Sequence, residues 1–146
     1  MTYKQEMSVF GSYVFYLFIA VGFLLTNNNH LQQFYQLIIA FALLYAIVFP
    51  IRMVWFKNRP KMEPHHDWIS KFTANTLISV HVARAVMLAF VLIAFFQYKP
   101  AFIALGAFAI AMVSLSRYVL RKHRLIDVAA GLLIGSLIGL VVLAFV

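Results

Sequence analysis

The chain has 146 residues, of which 64% are hydrophobic and only 11% charged. A water-soluble domain carries about 25% charged residues, so the composition excludes one and indicates an integral membrane protein. The formal charge of +8 suits anionic lipid or phosphate partners, and the absence of cysteine excludes disulfides and leaves the redox compartment open.

Residues 1–7 are short and polar. The apolar run 8–25 that follows is long enough to span a bilayer core and ends in Asn27-Asn28-Asn29-His30. It lacks both a preceding basic cluster and a small-residue cleavage site, so it reads as a retained span and not as a signal peptide. The second run covers 34–51, and Pro50 is expected to kink or end its helix. Residues 52–77 form a polar loop flanked by Trp55 and Trp68, as expected of an interfacial aromatic belt. Within it, His65-His66-Asp67 reads as solvated loop, because adjacent residues rarely complete a metal site. A third span is expected over 78–96, a tight turn at Gln97-Tyr98-Lys99-Pro100, a fourth span over 101–115 and a fifth over 128–146. The fold expected is all-α: one membrane domain of about five transmembrane helices. Gly131, Gly135 and Gly139 recur every four residues in the last span, which suits close helix packing.

Five alternating spans bring four polar clusters to one membrane face. These are Arg52 with Lys57 and Arg59, His81 with Arg84, Ser116 with Arg117, and His123 with Asp127. Four residues apart on a helix, His123 and Asp127 would share a face about 6 Å apart along the axis. The carboxylate would then hold one imidazole nitrogen as N–H and leave the other as a base or nucleophile. Arginines suit phosphoryl transfer because the guanidinium stays charged and its planar fork grips phosphate oxygens. A second imidazole, His81, supplies a proton donor for the leaving oxygen. With several arginines neutralising the charge, no metal or other cofactor is required. Arg121, Lys122 and Arg124 read as a topology-fixing juxtamembrane cluster. Nucleic acid is set aside, because the basic residues cap membrane spans.

Three stretches resemble the three-part motif of the type 2 phosphatidic acid phosphatase superfamily. Its first part is Lys, six residues, then Arg-Pro; here Arg52 precedes Arg59-Pro60 at that spacing. Its second part, Pro-Ser-Gly-His, reads here Ile78-Ser79-Val80-His81. Its third part, Ser-Arg, five residues, His, three residues, Asp, is matched completely by Ser116 to Asp127. The resemblance covers about residues 50–146. It implies a phosphohistidine at His123, oriented by Asp127, with His81 as general acid. Arg52, Arg59, Ser79 and Arg117 would hold the phosphate, with Lys57, Arg84 and Ser116 as further candidates. Valine at 80 replaces a glycine that permits positive φ and close backbone approach. That change motivates a second reading, a catalytically impaired relative that binds anionic lipid or serves as a scaffold. A small transport protein anchored by its polar face is a third. Members of this membrane type usually carry six spans, one more than expected here.

A site at the membrane surface implies a lipid phosphate substrate within the bilayer. The small loops favour a polyprenyl diphosphate over a glycerol-based head group such as phosphatidate. Eleven of the twelve Lys/Arg residues fall on the site face, so the positive-inside rule places that face in the cytosol. Oligomeric state is not legible in the sequence.

Overall fold

A computed structural model describes residues 13–26, 31–54 and 77–145. Among them are five α-helices and no strand: α1 (Tyr13–Thr26), α2 (Leu31–Val54), α3 (Val80–Phe95), α4 (Pro100–Val119) and α5 (Leu125–Phe145). By length and composition α2, α4 and α5 can each cross a membrane, while α1 and α3 are shorter apolar helices. A helix satisfies its own backbone groups, as any segment facing lipid must.

α3 is the axis of the bundle. It packs most extensively on α5 and then on α4, with α2 and α1 on its other flanks. Its sixteen residues rise only about 24 Å, and Val82, Ala83, Val86 and Met87 are sealed from the surface. A helix apolar all round belongs in an interior, and α3 occupies it. The outer helices turn residues such as Phe18, Phe108, Leu133 and Phe145 outward, as suits lipid contact.

The glycine ladder explains how closely α5 approaches α3. A Cβ on Gly131 would stand 2.6 Å from the Ser79 carbonyl oxygen, and one on Gly135 would stand 2.7 Å from that of Ala83. Both are inside van der Waals contact, so only hydrogen fits.

Several local expectations change. Of the two outcomes expected at Pro50, a kink or an end, the end does not occur: α2 continues to Val54 with the proline inside it, at the loss of one helical N–H donor. α4 continues past Leu115 to Val119, so Ser116 and Arg117 belong to its last turn. His123 precedes α5, whereas Asp127 lies in its first turn. The two residues therefore do not form an i, i+4 pair on one helix.

Candidate active site

The local structure from Ser116 to Asp127 accounts for the spacing of its functional groups. Leu120 and Arg121 end α4, with Arg121 in the left-handed region at φ 52°. The Arg121 N–H donates to the Tyr118 carbonyl at 2.9 Å and the Lys122 N–H to the Arg117 carbonyl at 3.2 Å. This is a Schellman cap, built on arginine where glycine is usual. The His123 N–H also donates to the Arg117 carbonyl, at 3.3 Å, so the cap folds His123 back beside Arg117. Arg124 then caps α5: its N–H donates to Asp127 Oδ2 at 2.8 Å, and its carbonyl accepts the Val128 N–H at 3.1 Å. A carboxylate reaching back from the third helical position is half of a capping box. It also lies at the positive end of the helix dipole. Five residues from Arg117 to His123 and three from there to Asp127 are what one helix stop and one helix start require.

The start of α3 docks on this unit. Ser79 is its N-cap residue in extended conformation, and its hydroxyl makes no capping bond. Its N–H instead donates to the Asp127 carbonyl at 2.9 Å. The Ser79 Oγ is buried and has no hydrogen-bond partner among the described residues. Such a group costs stability unless something else satisfies it. Val80 opens α3 and is buried with Ile78 in the apolar core. It is not among the positive-φ residues, so the backbone here requires no glycine, and the valine side chain points into the core.

Arg52, in the last turn of α2, donates from Nη2 to the Ile78 carbonyl at 3.1 Å. Arg84 is 3% exposed and donates from Nε to the Val80 carbonyl at 3.3 Å, so it is buried and does not snorkel to the surface. Arg117 is 5% exposed. The charges of Arg117, Arg84, His123 and Lys122 all act on the His81 ring, so these groups lie near it. Ser116 is buried, and its hydroxyl donates to its own helix at the Val113 carbonyl, 2.7 Å away.

Arg52, Ser79, His81, Arg84, Ser116, Arg117, His123 and Asp127 thus gather at one end of the bundle. Arg59 and Lys57 lie outside the described residues, as do His65, His66, Asp67, Trp55 and Trp68. Among the described residues no group of three His, Cys, Asp or Glu side chains could hold a metal ion. Sequence reasoning missed the reach of Lys122 to His81, the Arg124–Asp127 cap and the seat that Gly131 gives Ser79. The only advance signal was the glycine ladder. The assembly can do one kind of chemistry well: hold an anion among fixed guanidinium groups and a helix N-terminus, with two imidazoles beside it.

No curated protein and no solved structure matches the chain significantly. The family model described as the PAP2 superfamily matches residues 33–146. That region contains every residue of the site, and the chain belongs to the PAP2 superfamily, the type 2 phosphatidic acid phosphatases.

Proposed function

We propose that this protein hydrolyses a lipid phosphate, a phosphomonoester or diphosphate head group, through a phosphohistidine at His123. The observation that carries the reading is the main-chain docking that brings the second and third motifs together: the Ser79 N–H on the Asp127 carbonyl at 2.9 Å and the His123 N–H on the Arg117 carbonyl at 3.3 Å, with Ser79, Arg117, His123 and Asp127 all buried. A nitrogen of the His123 imidazole attacks phosphorus, and the bond from phosphorus to the leaving oxygen breaks. His81 in its acid form gives that oxygen a proton and becomes neutral. Water then attacks the phosphohistidine, His81 takes the water's proton, and inorganic phosphate leaves. The balance is one water consumed for one ester or anhydride bond broken. Arg117, Arg52, Arg59 and the Ser79 hydroxyl hold the phosphate oxygens, and Asp127 orients His123. Guanidinium groups and a helix N-terminus supply the electrostatic hold on the anion, which lets the reaction proceed without metal.

The second reading, an impaired lipid-binding relative, rests on Ile78 and Val80. Both are buried in the apolar core and Val80 does not need positive φ, which weakens its motive. The charge asymmetry places the site face in the cytosol. An impermeant thiol reagent that labels a cysteine introduced at position 2 in intact cells overturns that placement.

Phosphate release from polyprenyl diphosphate and from phosphatidate, measured in detergent with EDTA, tests the function. Wild type is expected to release phosphate and to be inhibited by vanadate, and His123→Ala to release none. Equal release from both proteins refutes the nucleophile assignment. Activity that disappears in EDTA refutes only the independence from metal.

A further inference from the structure

Away from its site end, α4 is poorly buried: its only fully buried residues are Val113, Ser116 and Arg117. Below them a groove of about 500 Å³ opens between α3 and α4, lined almost wholly by apolar side chains with Phe15 of α1 at its edge. Its α3 wall consists of Ala85, Leu88, Ala89, Leu92, Ile93 and Phe96. These follow His81 at helical spacing and lie on the face that His81 heads. The α4 wall ends at Met112, one turn before Ser116. Small residues bring the two walls together at the groove's floor: a Cβ added to Gly106 would stand 3.0 Å from Ile93 Cδ1 and 3.3 Å from the Ala89 methyl. At the far end Phe96 stacks on Phe102 with ring centroids 3.7 Å apart and planes 5° from parallel.

We propose that this groove holds the hydrocarbon tail of a single-chain lipid phosphate whose head group lies among His81, Arg84 and Arg117. The inference rests on the phosphatase reading and adds to it the chain's seat and number. The trough's walls end at Ala85 and Met112, one turn short of His81 and Ser116. A cationic cluster thus follows an apolar trough, an order that complements an amphiphile with an anionic head. From Ala85 to Phe96 the groove runs about 17 Å, roughly one leaflet of a hydrocarbon core of about 30 Å. Leu105 and Phe108 on its rim are more than half exposed, so a lipid enters sideways from the bilayer. In-line displacement sets the leaving oxygen opposite the nucleophile. A tail in this groove carries that oxygen on the His81 side, away from His123. One groove accommodates one chain, which selects against two-tailed phosphatidate. Lipid tails are as apolar as the groove, so selection comes from packing and not from transfer out of water.

Photolabelling tests the seat independently of catalysis. The wild-type chain in phosphatidylcholine nanodiscs is irradiated with hexadecyl phosphate carrying a terminal diazirine, or with the uncharged alcohol bearing the same tail. The phosphate is expected to label α3 and α4 groove residues, and unlabelled hexadecyl phosphate to displace it better than dipalmitoyl phosphatidate does. Equal groove labelling by the alcohol, or labelling concentrated on lipid-facing Leu133 and Leu137, overturns the proposal. Equal displacement by the two-tailed lipid overturns the single-chain assignment. Kinetics supply the second arm, as the ratio of kcat/KM for hexadecyl phosphate to that for phenyl phosphate. The ratio should fall about tenfold in Ala109→Phe and hold in Ala104→Phe, whose side chain lies outside the groove. An unchanged ratio in Ala109→Phe overturns the seat. Failure of wild type to hydrolyse either ester counts against the phosphatase reading, and the labelling then decides the groove by itself.

Discussion

The Ser79 N–H donates to the Asp127 carbonyl across 2.9 Å, joining the second and third motifs through main chain alone. Because no side chain takes part, substitution at either position leaves the bond's two atoms in place. What holds them in register is the contact of α3 with α5 one turn further on, at Gly131.

Gly131→Ala should therefore be destabilising out of proportion to its size. The added methyl meets the Ser79 carbonyl oxygen at 2.6 Å, and overpacking of this kind costs about 1–3 kcal/mol. Gly22 in α1 has nothing within 4 Å of an added Cβ, so Gly22→Ala should be neutral or stabilising by up to about 1 kcal/mol. Thermal unfolding of both variants in one detergent checks the contrast. Only Gly131→Ala should also lose phosphate release.

Asp127 has two separable jobs on the proposed mechanism. Asp127→Asn keeps an oxygen that can accept the Arg124 N–H, so stability should stay near wild type while phosphate release falls. Asp127→Ala removes the acceptor as well and should cost about 1 kcal/mol. Chemical denaturation of the two variants, read beside their turnover, separates capping from catalysis.

Ser79→Ala should split stability from binding. The buried Oγ has no hydrogen-bond partner among the described residues, so its removal should leave the free protein unchanged or slightly more stable. A hydrogen bond to a charged group contributes about 1.5–3 kcal/mol, so vanadate inhibition should weaken by roughly tenfold or more. Denaturation midpoints and vanadate titrations on the same preparation check both signs.

Arg52→Ala removes the bond to the Ile78 carbonyl and should cost about 1–2 kcal/mol together with activity. Arg52→Lys keeps the charge and one donor but loses the planar fork, so intermediate turnover is expected. Parallel kcat/KM and unfolding measurements on the two variants resolve charge from geometry.

The convergence of Arg52, His81, Arg117 and His123 was legible because apolar runs alternate across a membrane, and that alternation fixes which ends meet. The helix limits at Pro50 and Leu115 were not. Hydropathy records where apolar side chains stop, whereas backbone hydrogen bonding continues into the polar interface beyond them. The cap after Arg117 was hidden for a different reason. Its left-handed residue is Arg121, so the glycine that usually marks such a stop is missing. Without that mark, His123 and Asp127 read as neighbours on one helix. In the fold they stand on either side of a helix start.

The bond from Arg52 to Ile78 also has a consequence for the segment between them. It ties the end of α2 to the residue preceding Ser79, so the two points between which residues 55–76 connect are set by a bond of the framework itself. Doubling the length of a flexible closed loop adds only about 0.6 kcal/mol of entropic cost. Sequence added to that connection after Pro60, a reporter domain or an epitope, could thus be accommodated with Arg52 and Ser79 left in register.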